Sequence, residues 1–232
     1  LRPSPWSAII GQAVRVNVER GLGERYVREA VFERIWRENL WGSPESRSGP
    51  GSEVERTAPF RAAFEAYLAE LGPGVVYDAP CGDFNWMRHV MFPEGVTYIG
   101  ADIVAPMIAE LQRDFGSTVR RFEVADIVID PPPVADVWLC RESLFHLSLD
   151  DCRTVIAHWR ASAIPYFLTT STPTVIVNSD IQAGEWRRLN MELDDFDLGR
   201  PIARFLDGSP RDVDKIIGVW AQAGVAQGAR GR

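Results

Sequence analysis

A chain of 232 residues with 46% hydrophobic content suits one large α/β domain with additions and has ample material for a core. Its formal charge of −7 argues against a nucleic-acid backbone as the main partner, since that binding rests on basic patches. Three cysteines, Cys81, Cys140 and Cys152, are odd in number and lack metal-ligand spacing, so they read as reduced thiols and no metal is expected. In chain order, residues 5–40 carry a helical pattern, with Val27, Ala30, Val31, Ile35 and Trp36 on one face. The stretch WGSPESRSGPGSEVE (41–55) then breaks all periodicity with Gly, Pro and Ser. A helix follows over 58–71, with Gly72 past its end. Short apolar runs recur at 75–77, 97–101, 119–124, 135–139 and 166–170, with helix-like segments between most of them. One of those helices is expected to begin near Phe84.

That alternation predicts parallel strands joined by right-handed crossovers. The end of the chain differs: PIARFL and KIIGVWAQAGV are separated by a turn alone, which predicts an antiparallel hairpin at the sheet edge. The expected organisation is a helical segment and lid loop over 1–55, a Rossmann-like domain over 56–225 and a flexible tail over 226–232. No apolar run approaches the roughly 20 residues of a membrane span, and none resembles a signal peptide, so a cytoplasmic protein is expected.

The chemistry gathers at strand ends. In doubly wound sheets, ligands bind outside the carboxyl ends of the strands. The run 75–77 ends at Asp78, and a turn of small residues leads on through Gly82, where backbone can approach a ligand closely. Asp102 ends the next run in YIGADIV, about 20 residues on, the spacing expected of a group that binds ribose hydroxyls. Asp126 ends the third in FEVADIV. Three carboxylates on one sheet edge, two acids (Asp78 and Asp83) in the first turn and no G-x-G-x-x-G suit a pyrophosphate poorly. A ligand with a cationic amino-acid end, a ribose and an adenine fits better, and S-adenosylmethionine has that description.

The ordered set NLWGSPESRSGPGS, DAPCGDFNWM, IGADIV, CRESLFHLS and GEWRRLN resembles a bacterial-type subgroup of the class I S-adenosylmethionine-dependent methyltransferases. The resemblance covers roughly residues 35–198. It implies a seven-stranded, mostly parallel sheet with a C-terminal antiparallel hairpin and an N-terminal helical lid. It also implies cofactor contacts from Asp78, Ala79, Pro80, Cys81, Gly82, Asp83 and Trp86 in the first motif. Asp102 would take the ribose, Ile103 would pack on adenine, and Asp126 would accept from the adenine amino group with Ile127 beside it. Cys140 and Arg141 would lie below the transferring methyl. Pro80 and Phe84 stand where glycines are usual.

A hydroxyl acceptor must lose a proton, so a general base is expected. His146 follows the fourth strand and is the first candidate, and Glu142 is the second; Ser148 and Asp151 would cap the helix that follows. His146 satisfied by backbone is the alternative. Between the fifth strand and the hairpin, a long polar loop replaces the usual crossover helix, and such loops are functional or disordered. Its Trp186, Arg187 and Asn190 offer an aromatic face and donors suited to a sugar or other polyol; packing and surface pairing are the alternative. Arg47, with Ser46, Ser48, Gly49 and Gly51, would close over the site or merely connect two helices. The expected activity is O-methylation of a small polar acceptor such as a carbohydrate. Another small-molecule nitrogen or carboxylate acceptor, a nicotinamide-dependent enzyme and a silent binding domain are the alternatives. RNA methylation is disfavoured, because CRES stands where an N/D-P-P-Y/F motif would be.

Overall fold

The computed structural model describes residues 23–208 and 214–225. Parts of the expected helical leader (1–22), the hairpin turn (209–213) and the tail (226–232) lie outside the described residues. Seven strands form one sheet: β1 (Val75–Asp78), β2 (Thr97–Asp102), β3 (Arg120–Val124), β4 (Val137–Cys140), β5 (Tyr166–Ser171), β6 (Ala203–Leu206) and β7 (Ile216–Ala221). Their order is β3-β2-β1-β4-β5-β7-β6. The first five are mutually parallel, whereas β7 runs antiparallel to both β5 and β6. Order therefore reverses between β1 and its neighbours β2 and β4, and the carboxyl ends of these strands make the crevice where ligands bind in such sheets.

The inner strands β4 and β5 are buried along their whole length, as expected of parallel strands covered on both faces. Edge-lying β3 alternates instead. Two apolar layers meet the sheet. One packs α2 (Val54–Leu71) and α3 (Ala105–Phe115) through Phe60, Phe64, Leu68, Met107 and Ile108; the other packs α4 (Leu149–Ala161) through Val155, Ile156 and Trp159. Gly72 closes α2 at φ 61°, the left-handed conformation expected of a glycine past a helix end. The helix starts at Val54, four residues before its expected start. Glu45 Oε1 accepts from Val54 N at 2.7 Å and Thr57 Oγ1 donates to the Glu53 carbonyl, so the extra turn is capped despite Pro59.

The helix expected from Phe84 does not form. A single 3₁₀ turn, Met87–His89, replaces it. Phe84 itself sits at φ 59°, a conformation that ends any helix and that glycine would adopt without strain. Its ring is buried against Tyr98, Phe115 and Phe122 at centroid distances of 5.0–5.4 Å. Burying that side chain offsets a backbone cost of about 1–3 kcal/mol, so a phenylalanine occupies a glycine's conformation.

The hairpin forms as expected, with β7 inserted between β5 and β6. Between β5 and β6, residues 172–202 contain no helix or strand. Helix α1 (Glu24–Glu38) and the loop after it lie over the carboxyl edge of the sheet, tied there by side chains described below. Among the described residues no helix is long and apolar enough to cross a membrane.

Candidate functional site

A cleft opens at the carboxyl ends of β1, β2, β3 and β4, roofed by α1 and the loop 41–52. It encloses about 940 Å³ of space, open solvent at its mouth included. Of the residues expected in the first motif, Asp78, Pro80, Cys81, Gly82 and Trp86 line it. So do Asp102 and Ile103 after β2, Asp126 and Ile127 after β3, and Arg141, Glu142 and His146 after β4. Ala79 does not: its peptide bonds to the Leu139 carbonyl and to Trp138 Nε1, and its side chain belongs to the core. Cys140 is likewise wholly buried core.

The first two acids are unusual carboxylates. Asp78 is 2% exposed, and burial pushes its carboxyl up to about 7, against a hydrogen bond from the Tyr98 hydroxyl at 2.7 Å and the Arg141 charge. That bond falls on Oδ2; Oδ1 has no hydrogen-bond partner among the described residues. Asp102 is also buried and pushed up to about 6, although Val104 N and Gly82 N donate to it at 3.1 Å. Both groups are held at the rim of a cleft with fewer donors than their oxygens can accept.

Asp126 differs. Arg28 of α1 donates to its Oδ2 through Nε at 3.1 Å and Nη2 at 2.9 Å, while Val128 N donates to Oδ1. Arg28 Nη1 also reaches Asp151 Oδ1 at 3.3 Å. The carboxylate expected to meet an adenine amino group is thus already engaged by the lid helix. Arg28 was missed by sequence reading. The signal was present, since Arg28 shares a helical face with Val31 and Ile35 and is buried with them.

Asp83 faces the lid and not the cleft. Its carboxylate accepts from Ser46 Oγ at 2.9 and 3.0 Å, from Arg47 N at 2.7 Å and from Asn85 N at 3.2 Å. In return Ser48 Oγ accepts from Asp83 N at 2.8 Å. A Cβ on Gly82 would overlap Ser48 Oγ, so this glycine serves the close approach of lid to turn as well as its own φ of 56°. Arg47 lines the cleft while Nη1 donates to the carbonyls of Trp36 and Arg37 at the end of α1. We expect Asp83→Ala to leave the Arg47 and Asn85 amides without acceptors and to cost about 1–3 kcal/mol. Limited proteolysis should then cut within 43–52 at least several-fold faster, and an unchanged cleavage rate would contradict the clamp.

His146 and Glu142 occupy one wall. The His146 ring stacks on Trp41 at 4.9 Å and lies 2.7 Å from the Glu185 carbonyl through Nδ1. A carbonyl accepts only, so Nδ1 carries the proton and Nε2 is left as the acceptor. Burial pushes this imidazole down to about 4, leaving it neutral at pH 7. Ser148 caps α4 by accepting from Asp151 N at 3.1 Å, which fixes the entry of that helix beside His146. Glu142 lies at φ 55°, its amide bonded to Thr170 Oγ1 and its Oε1 2.7 Å from Lys215 Nζ. Burial and the neighbouring Asp207 push its carboxyl up to about 7.

The expected polyol-binding trio is not assembled. Arg187 is 5% exposed and turned inward, with Nη1 on the Leu147 carbonyl and Nη2 on Cys152 Sγ. Asn190 is buried too; it donates to the Pro173 and Val175 carbonyls and accepts from Glu192 N. Asn190 satisfies the backbone of a loop that has no ladder of its own, whereas Arg187 ties that loop to the Leu147 carbonyl and to α4. Trp186 is 63% exposed, packs edge-on against Phe145 and does not line the cleft.

No family model and no curated protein matches the chain. Solved structures share its fold. Magnesium protoporphyrin IX methyltransferase from Synechocystis PCC 6803 with bound SAM is 16% identical at a TM-score of 0.59, over 87% of this chain and 98% of that one. The 1,6-didemethyltoxoflavin-N1-methyltransferase of Burkholderia thailandensis, with bound 1,6-didemethyltoxoflavin and S-adenosylhomocysteine, is 18% identical at 0.58, over 87% and 91%. Human N-acetylserotonin methyltransferase in complex with SAM is 14% identical at 0.52, over 94% and 66%. At such identities the likeness is one of fold, and the fold is the Rossmann-like one of these methyltransferases.

Proposed function

We propose that this chain is an S-adenosylmethionine-dependent methyltransferase acting on a small-molecule acceptor. The observation that carries the reading is the pair of buried, under-donated carboxylates, Asp78 and Asp102, at the ends of adjacent strands. A pyrophosphate would meet two acids where it needs N–H donors. An ammonium group and a ribose diol supply what these acids lack. Asp78 and the Gly82 turn would hold the amino-acid end, Asp102 the ribose hydroxyls, and Ile103 and Ile127 the faces of the adenine. The cofactors in the three methyltransferases of the same fold fit this reading. Titration calorimetry with S-adenosylhomocysteine and, separately, NAD tests it: binding of the first alone is expected, and NAD binding alone would overturn the proposal.

The bound sulfonium would supply a methyl group already activated for transfer, so alignment provides much of the rate. What remains for the chain is to hold the acceptor and take its proton. Glu142 is the better base of the two candidates, because a group titrating near neutrality matches that task more closely than an imidazole pushed down to about 4. His146, neutral and locked through Nδ1, would orient a hydroxyl by accepting its hydrogen bond at Nε2. An oxygen acceptor follows from this pairing. A sugar has lost its main support, since Arg187 and Asn190 do not line the cleft; Trp36 and Trp41 on the lid side, with His146 stacked on Trp41, favour an acceptor with an apolar or aromatic face. With labelled methyl donor and a panel of hydroxylated small molecules, Glu142→Gln should lower turnover about 100-fold or more and His146→Ala about tenfold. Both should leave S-adenosylhomocysteine affinity within about twofold. Full turnover in Glu142→Gln would remove it as the base.

A further inference from the structure

The C-terminal hairpin brings two charged residues to Glu142 that no motif contains. Asp207 follows β6 and Lys215 precedes β7, so both flank the hairpin turn. Lys215 Nζ lies 2.7 Å from Glu142 Oε1. Asp207 is 1% exposed and takes Arg141 Nε and Nη2 on Oδ1 at 2.8 and 2.6 Å, with Thr170 Oγ1 3.3 Å from Oδ2. Arg141 Nη2 continues to the Gly51 carbonyl in the lid loop at 2.9 Å. Gly51 is itself pressed against Glu142, because a Cβ there would overlap Oε2. Glu142 is thus held in a left-handed conformation by partners from β5, the hairpin and the lid. Such strain persists where surrounding structure over-determines it.

We propose that Lys215 and Asp207 are positioning residues for Glu142, fixing its carboxyl in the cleft and setting its charge state from opposite sides. The inference rests on the reading of Glu142 as proton acceptor. Among the described residues, the charged groups facing Glu142 are Asp207 and Lys215 from the hairpin and Arg141 from the end of β4, and the lid contributes backbone at Gly51. Their effects oppose one another. Burial and the Asp207 carboxylate raise the Glu142 carboxyl, while Lys215 and Arg141 lower it. Asp207 remains ionised: burial alone would raise it, but Arg141 and Lys215 hold it below the usual carboxylate range. Glu142 is therefore the member of the pair that gains and loses a proton near neutral pH. During transfer the acceptor hydroxyl would give its proton to an ionised Glu142 as its oxygen bonds to the methyl carbon, and the carbon–sulfur electron pair would return to sulfur. Glu142 would then release that proton to solvent.

The test is a carbon-13 NMR titration of the Glu142 side-chain carboxyl in glutamate-labelled protein, its signal assigned by its loss in Glu142→Gln. The wild-type midpoint is expected near neutral pH. Lys215→Met should raise it by about one unit and Asp207→Asn should lower it by about one unit. Opposite shifts are the signature, since a purely structural role moves neither or both alike. Lys215 is partly exposed and its replacement leaves the Arg141–Asp207 pair intact, so this variant decides the matter if Asp207→Asn does not fold. A midpoint unmoved in Lys215→Met overturns the proposal. Because the titration needs no acceptor, it fails independently of the base reading, which falls on the turnover of Glu142→Gln.

Discussion

Replacing Asp78 by Asn is expected to stabilise the ligand-free protein and to weaken cofactor binding severely. The folded carboxyl titrates at about 7, above its unfolded value of about 3.9. Between those values the folded state holds the proton that the unfolded state has released, so this group's contribution to stability declines as pH rises from about 4 to 7. Above pH 7 the penalty is fully present and amounts to about 4 kcal/mol at most. An amide escapes it while still accepting from Tyr98, with a net gain of about 2 kcal/mol, or roughly 4–8 °C in Tm for a chain of this size. The same change removes the only charge at the end of β1 that can meet an ammonium group, and S-adenosylmethionine affinity should fall about 100-fold or more. The wild type should carry a matching signature on the proposed reading: since Asp78 would have to ionise to receive the cation, affinity at pH 5.5 should be at least tenfold weaker than at pH 8. A variant that melts earlier and still binds normally would show that Asp78 serves packing and not the ligand.

That trade is legible in the sequence, because an apolar strand that ends on a carboxylate has no structural need of one. Asp78 and Asp102 announce themselves for that reason, and the parallel run of the first five strands follows from the alternation around them. Phe84 and the absent helix are harder: nothing local says that a phenylalanine will take a left-handed φ, and the cause lies in rings from β2, β3 and α3. Arg187 and Asn190 mislead by composition. Buried backbone carbonyls without a ladder need donors, and donors that look poised for a ligand are spent on them, Asn190 within its own loop and Arg187 at Leu147 ahead of α4. Asp207 and Lys215 are hidden in a polar turn whose partners, Arg141 and Glu142, lie 66 and 73 residues away in sequence. Separation of that kind becomes visible only when β7 is placed beside β5.

Arg28→Met should be the most destabilising single change on the lid. Arg28 and Asp126 are 4% and 3% exposed, so removing the guanidinium strands a buried carboxylate at the floor of the cleft. Breaking such a pair from one side costs about 3–5 kcal/mol, and part of the loss should appear as detachment of α1, because Val31 and Ile35 form only a small apolar cluster with Phe32, Leu40 and Trp41. Adding Asp126→Asn to Arg28→Met removes the stranded charge and should recover most of the urea midpoint. If the double variant is no more stable than Arg28→Met alone, the loss is one of packing by the arginine stem and not of charge. The functional consequence runs the other way from the stability one. Asp126 freed from Arg28 regains an oxygen able to accept from an adenine amino group, so the single variant, although weakened, should bind S-adenosylhomocysteine at least as tightly per folded molecule. A fall in that affinity would assign Arg28 to the ligand site itself, with the pair to Asp126 holding the guanidinium ready for it.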